Sequence, residues 1–147
     1  MTKNLDKDGL SSIVDNYQLF YIDLWGVVHN GINLHDGAIT AIQEISKKDK
    51  EYVLLTNAPR PNSAVKVFLE KMGANKEIID RVFTSGQAAL NYLKKNYLNK
   101  KFFHIGPPRD FDLFQDFKKN KSKDVENSEY ILCTGLFDHQ EENLNYY

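Results

Sequence analysis

Residues 20–31 read FYIDLWGVVHNG and join a short apolar run to one carboxylate, Asp23, followed by a turn. The run at residues 19–22 predicts a short buried strand that ends at Asp23. A second apolar run, residues 52–55, ends in the same way on Thr56-Asn57. In open α/β sheets, ligands bind beyond the carboxyl ends of the strands. The sequence therefore predicts a small polar site in which a carboxylate, a hydroxyl and an amide could handle a phosphate group.

Helical patterns follow both of these predicted strands. Apolar residues spaced three and four apart predict helices over residues 38–45 and 65–72. Asp36 is expected to cap the first helix, and Gly73 suits the left-handed end of the second. The resulting βαβα order predicts an α/β fold with a parallel sheet and right-handed crossovers.

The pattern repeats, with weaker signals, in the second half of the chain. Ser85 is expected to cap a helix that carries Ala88, Ala89, Tyr92 and Leu93 on one face, and Phe111, Phe114 and Phe117 indicate a short helix opened by Asp110. The further predicted strands are residues 81–83, 101–105 and 130–133, and a last helix is expected to begin at residue 141.

Composition favours one ordinary domain, or one domain with part of another. The 147 residues are 41% hydrophobic and 12% aromatic, which is enough for a packed core. The 19 basic and 20 acidic residues nearly cancel to a net charge of -1, so the electrostatic case for nonspecific binding to nucleic acid is absent. We therefore expect no nucleic-acid partner.

The location expected from sequence is cytoplasmic. The single cysteine, Cys133, argues against a disulfide framework and suits a reducing compartment. The first residues lack the apolar segment of a signal peptide, and no run approaches the length of about 20 apolar residues that spans a bilayer. We therefore expect no membrane partner.

The two strand-end motifs, DLWGVVHNG at residues 23–31 and LLTNAPRP at residues 54–61, resemble those of the haloacid dehalogenase-like (HAD) hydrolase superfamily, class IIA. The first motif is similar to the DxWGVxHxG pattern of an uncharacterised subgroup. The resemblance implies a lead-in over residues 1–17, the first half of a Rossmann-like core over residues 18–80, and the start of an α/β cap domain over residues 81–147. Only the N-terminal portion of such an enzyme is then present.

The resemblance also implies roles for particular residues. Asp23 would be the nucleophile that forms an aspartyl-phosphate, and Mg²⁺ would bind its carboxylate and the backbone carbonyl of Trp25. Thr56, through its hydroxyl, and Asn57, through its backbone amide, would hold the phosphoryl oxygens. The substrate implied is a small phosphorylated metabolite. The plainer alternative is that Asp23 caps a turn and that Thr56 and Asn57 open a loop.

Two features depart from the phosphatase pattern of that superfamily. Trp25 stands where a second aspartate usually acts as the general acid and base, a role worth about 10²–10⁴-fold in rate. His29 is a candidate substitute for proton transfer, and the alternative is a histidine whose ring hydrogen-bonds a neighbouring loop. The expected lysine and Gly-Asp motifs are also missing downstream of Asn57, and Asp138 is a poor replacement for the distal metal ligand.

Three functions remain open on the sequence alone. The first is a Mg²⁺-dependent phosphatase of which this chain carries the nucleophile half. The second is a hydrolase of another type, because Trp25 replaces the usual acid. The third is a non-catalytic or vestigial, truncated module that binds a metabolite or a partner. Whichever function holds, an oligomer or a separately encoded C-terminal half that completes the chain is a further expected partner.

Overall fold

The computed structural model describes residues 5–137 and 145, which form an α/β fold with two sheets. The strands are β1 (Leu19–Asp23), β2 (Glu51–Thr56), β3 (Val82–Thr84), β4 (Phe102–Ile105) and β5 (Tyr130–Cys133). The α-helices are α1 (Leu5–Asp8), α2 (Asp36–Lys47), α3 (Asn62–Lys71), α4 (Lys76–Ile79) and α5 (Ser85–Asn96). The 3₁₀ segments are Leu10–Ser12, Val14–Asn16, Pro108–Asn120 and Val125–Asn127.

The first sheet confirms the predicted parallel arrangement. Its strand order is β1-β2-β3. β1 and β2 run parallel with Leu19 opposite Glu51 and Asp23 opposite Leu55. β3 joins β2 where the Leu54 N–H donates to the Arg81 carbonyl over 2.9 Å. The polar residues that follow β1 and β2 are therefore brought to one edge of the sheet.

The chain divides into two compact units. The first comprises residues 1–56 and 63–83, and the second comprises residues 57–62 and 84–147. The strand at residues 82–84 pairs within the first sheet, which therefore continues past residue 80. The predicted division into core and cap at residues 80 and 81 stays a prediction.

In the first unit α2 packs against β2, and both α2 and α3 bury aliphatic side chains. Such burial is the main favourable term in folding, at about 25 cal/mol per Å² of apolar surface. The most deeply buried apolar residues of this unit are Leu24, Val28, Ile42, Ile45, Leu54 and Leu69.

The second unit is built around aromatic side chains. β4 and β5 form a parallel pair in which Phe102 lies opposite Tyr130. The Phe102 ring is fully buried and contacts the rings of Phe114 and Phe117 with centroids 5.2 and 5.7 Å apart. Leu90, Leu93, Leu113 and Leu132 complete this core.

The predicted strand β1 has the expected bounds but not the expected burial. Leu19 and Tyr21 are 43% and 68% exposed, whereas Phe20 and Ile22 are partly buried. Successive side chains of a strand point to opposite faces. The prediction of a buried strand was therefore wrong for one of its two faces.

Two predicted helix caps were also wrong by one residue. His35, not Asp36, is the N-cap of α2, and it makes no side-chain cap hydrogen bond. Thr84, not Ser85, is the N-cap of α5, and its hydroxyl accepts the Gln87 N–H over 2.8 Å. The predicted face of α5 was partly wrong as well, because Gly86, Leu90 and Leu93 are buried while Tyr92 is 60% exposed.

The phenylalanines spaced by three lie in a 3₁₀ segment, not an α-helix. Pro108–Asn120 departs from helical backbone angles at Phe114 and Phe117. A 3₁₀-helix has three residues per turn, so this spacing places the rings on one side. Its N-cap is Pro107, so Asp110, which is buried, does not open the helix.

Some sequence predictions lie outside the described residues. Asp138 and, except for Asn145, the helix expected from residue 141 are among them. Within residues 5–137 and 145, no helix is both long and apolar enough to cross a bilayer.

Candidate functional site

Asp23 lies at the carboxyl end of β1, with its side chain exposed. The Leu24 N–H donates to Asp23 Oδ1 over 2.8 Å, which orients the carboxyl group. Because Asp23 is in register with Leu55, Thr56 follows one residue later on the neighbouring parallel strand. The structure thus brings Asp23 and Thr56 to the same sheet edge, as the sequence predicted.

The chain turns tightly after Asp23, and the turn is organised by a single carbonyl. The Leu24 carbonyl accepts the N–H groups of Val27, Val28 and His29 over 3.3, 2.8 and 3.1 Å. Gly26 adopts a positive φ of 77° and donates its N–H to the His29 carbonyl over 2.8 Å. Since Leu24 is 2% exposed, it fixes the turn to the core and leaves Trp25 outside it.

Trp25 is 65% exposed but is packed along one side. Its ring meets the His29 ring edge-on, with centroids 5.6 Å apart. Gly31 has φ 91°, and a Cβ placed there would lie 2.7 Å from Cη2 and Cζ3 of the indole. The indole therefore rests against a backbone position that only glycine fits.

His29 is 4% exposed and is held by the same turn. Its Nδ1 accepts the Gly31 N–H over 3.0 Å, so the ring proton belongs on Nε2. Burial lowers the pKa of His29, His35 lowers that pKa further, and the nearby Asp23 carboxylate opposes the shift. The ring also contacts Phe68 at 5.6 Å. Hydrogen bonding to the local loop is the alternative that the sequence had left open for this histidine, and its role in proton transfer stays a prediction.

Thr56 and Asn57 differ in their surroundings. Thr56 is 8% exposed and belongs to the first unit. Asn57 follows it in the chain and belongs to the second unit, where it lines a cavity of about 290 Å³. Ser85 and Thr134 also line this cavity and give it polar groups.

The loop that follows Thr56 is held by residues that sequence reasoning had given no such role. Ser85 Oγ lies 2.8 and 3.0 Å from the carbonyl oxygens of Asn57 and Ala58, to which it donates. Thr84 Oγ1 donates to the Arg60 carbonyl. A Cβ on Gly86 would collide with the Arg60 backbone. The adjacent Thr-Ser-Gly was the available signal, since hydroxyls and a missing Cβ allow close backbone approach.

The residues at the sheet edge fit Mg²⁺ in part. Mg²⁺ prefers oxygen ligands and commonly uses one or two carboxylates with water and substrate phosphates. The exposed Asp23 carboxylate is a ligand of this kind. Within the described ranges, no three acidic, histidine or cysteine side chains form a metal-binding group.

Sequence comparison finds hydrolases among the relatives of this chain. A sequence model described as Haloacid dehalogenase-like hydrolase matches residues 20–118. Phosphoglycolate phosphatase 2 of Arabidopsis thaliana is 26% identical, over 97% of this chain and 53% of the plant protein. The chain spans about half the length of this relative.

Solved structures show the same fold. A haloacid dehalogenase-like family hydrolase from Brucella suis 1330 matches with a TM-score of 0.74 and 31% identity, over 88% of this chain and 46% of that one. The 4-nitrophenylphosphatase of Thermotoga maritima matches with a TM-score of 0.64 and 23% identity, over 91% and 49% of the two chains. At the latter identity, the likeness concerns the fold alone.

Proposed function

The chain belongs to the haloacid dehalogenase-like hydrolase family, and from that premise we propose that it carries the nucleophile portion of a phosphatase for small phosphorylated metabolites. The main support is the placement of an exposed carboxylate, Asp23, beside Thr56 at one sheet edge. Magnesium is the usual cofactor of phosphatases in this family. The expected assignment of residues 18–80 to the core and 81–147 to the start of the cap is part of the proposal.

In the proposed reaction, Asp23 attacks phosphorus. Because Oδ1 accepts the Leu24 N–H, Oδ2 is the attacking oxygen. An Oδ2–P bond forms while the bond from phosphorus to the leaving oxygen breaks. Water then cleaves the aspartyl-phosphate, which restores the carboxylate and releases inorganic phosphate. The difficult displacement is thereby divided into two easier steps.

Two further groups that the family resemblance implies would orient the phosphoryl group. The Thr56 hydroxyl and the Asn57 backbone N–H would donate to its oxygens, where negative charge is concentrated. Bound Mg²⁺ would neutralise part of that charge and would be held by the Asp23 carboxylate and the Trp25 carbonyl. His29 is the candidate for proton transfer near Asp23, but its Nδ1 accepts the Gly31 N–H and its only ring proton is on Nε2, so the neutral ring is a weak acid toward a leaving oxygen.

The test is turnover of phosphate esters by the full chain in the presence and absence of Mg²⁺. The panel contains phosphoglycolate, glycerol 3-phosphate and 4-nitrophenyl phosphate. We expect Mg²⁺-dependent release of phosphate that Asp23→Asn abolishes. After acid quenching, mass spectrometry should find a phosphorylated peptide containing Asp23.

The matched control is Asp49→Asn. Asp49 is an exposed aspartate with φ 53°, a conformation that asparagine tolerates well, so this variant should keep full turnover. Turnover that survives Asp23→Asn would overturn the nucleophile assignment. An inactive but folded wild-type chain would favour the non-catalytic module.

Trp25 favours a second candidate, a hydrolase of this family that cleaves a bond other than a phosphate ester. An indole ring carries no acid or base suited to protonating an alkoxide. Release of halide from a 2-haloalkanoate, lost in Asp23→Asn, would support this second candidate. For the phosphatase, Trp25→Asp should instead raise turnover of glycerol 3-phosphate.

A further inference from the structure

Trp25 combines high exposure with a fixed position. The side chain is 65% exposed, yet one side is set against His29 and Gly31. A large aromatic surface that is already ordered loses little conformational freedom when a second ring packs on it. Trp25 lies two residues after Asp23, and the two residues share the turn that the Leu24 carbonyl organises.

The same position constrains the leaving group. With tryptophan at residue 25, the residue two places after Asp23 cannot protonate the departing oxygen. His29 accepts the Gly31 N–H at Nδ1 and so offers only the Nε2–H of a neutral ring, which is a weak acid. An oxygen that receives no proton leaves as an anion. It leaves most readily when the corresponding alcohol or phenol has a low pKa. Phenols ionise near a pKa of about 10, well below aliphatic alcohols, so aryl esters suit such a site.

From these two observations we infer that Trp25 is a specificity-determining residue, which receives an aromatic leaving group and selects aryl phosphate esters over alkyl ones. This inference rests on the proposed phosphatase function. As the Asp23 Oδ2–P bond forms, the P–O(aryl) bond breaks and its electron pair leaves on the phenolate oxygen. Stacking on the indole holds the ring during this step.

The experiment measures binding by calorimetry in the Asp23→Asn background, where turnover does not consume the ligand. The ligands are phenyl phosphate, glycerol 3-phosphate and inorganic phosphate. Phenyl phosphate should bind about threefold to tenfold more tightly than glycerol 3-phosphate, as expected for one aromatic pair. Trp25→Leu should remove this preference, whereas Trp25→Phe should retain most of it.

A matched control and an internal reporter sharpen the test. Tyr92 is an aromatic residue of α5 that is 60% exposed, and Tyr92→Leu should leave the preference unchanged. Trp25 is the only tryptophan of the chain, so its fluorescence reports on this side chain alone. Phenyl phosphate should change that fluorescence more than inorganic phosphate does. The fluorescence measurement requires no substitution at residue 25 and remains decisive if Trp25→Leu does not fold.

The outcomes separate this inference from the function on which it rests. If phenyl phosphate and glycerol 3-phosphate bind equally and Trp25→Leu changes neither, the role of Trp25 is overturned while phosphate binding stands. If none of the three ligands binds, the proposed phosphatase site is overturned together with the inference. A preference that survives in Trp25→Leu would also overturn the role of Trp25.

Discussion

The two sheets are both parallel, but their strands end on different kinds of residue. β1 and β2 end on Asp23 and Thr56, a carboxylate and a hydroxyl at one edge. β4 and β5 instead end on Ile105 and Cys133, and the core beside them is aromatic, with Phe102 fully buried. The difference shows that the alternating strand and helix pattern determines the architecture, while the residue at each strand end determines whether that edge can do chemistry.

Each unit also contains a buried histidine, and the surroundings of these two side chains differ. His29, in the first unit, accepts a backbone N–H from Gly31 in the turn after Asp23. His104, in the second unit, lies 3.0 Å from the Thr134 hydroxyl and packs against the rings of Phe111 and Phe114. Burial lowers the pKa of both, and for His29 the carboxylate of Asp23, the proposed nucleophile, opposes that shift.

The largest expected effect comes from the aromatic core of the second unit. Phe102→Ala removes a fully buried ring that contacts Phe114 and Phe117. We expect the free energy of unfolding to fall by about 3–5 kcal/mol, because such a substitution loses apolar burial and leaves a cavity. Chemical denaturation followed by far-UV circular dichroism would measure the change.

Phe103→Ala is the control on the same strand. Phe103 is only partly buried, so its loss should cost clearly less than the loss of Phe102. Trp25 fluorescence, which reports on the first unit, would show whether both units lose structure in one transition. If both substitutions lowered the free energy of unfolding equally, the description of Phe102 as the buried centre of the second unit's core would be refuted.

A smaller effect is expected in the turn of the first unit. Gly31→Ala places a Cβ against the Trp25 indole at a residue with φ 91°. We expect a loss of about 1–3 kcal/mol in the free energy of unfolding, as is usual for a strained backbone position. The emission of Trp25 should change as well, because the indole must move. Thermal and chemical unfolding, with emission spectra of the folded variant, would measure both changes.

Gly37→Ala provides the matched glycine control. Gly37 lies in α2 without a positive φ, and a Cβ there would meet no atom within 4 Å. Alanine should therefore leave the stability unchanged or raise it slightly. If both glycine substitutions had the same effect, the contact between Gly31 and Trp25 would not explain the result.

Much of the fold could be predicted from the chain because the strongest signals were local. The bounds of β1 and β2 follow from apolar runs that end on polar residues, and the parallel sheet then places Asp23 beside Thr56. Less local features were missed. Whether His35 or Asp36 caps α2 depends on the direction in which the chain enters the helix, which tertiary contacts determine.

The detailed site was less accessible from sequence. The Trp25 indole packs against the His29 ring and against Gly31, where a Cβ would collide with it, and no local pattern specifies where the indole lies. The hydrogen bond that the Ser85 hydroxyl donates to the Asn57 carbonyl joins residues 28 positions apart in the sequence. Such contacts depend on tertiary geometry, whereas residue type and spacing identify only the candidate groups.

The smallest expected effect is a pH dependence shared by the two buried histidines. Burial holds the pKa of His29 and of His104 below the ordinary value of 6.5, so the unfolded chain binds more protons in the interval below 6.5. The free energy of unfolding should therefore be greatest above 6.5 and should fall as the pH drops through the folded pKa values. Denaturation between about pH 7.5 and 5.5, where histidine titrates, would measure this slope.

His29→Asn and His104→Gln preserve a polar side chain without the titration, and each should flatten part of the slope. If the pH dependence of the free energy of unfolding persisted undiminished in the double variant, other groups would be its cause. The prediction that both histidines contribute to it would then be refuted.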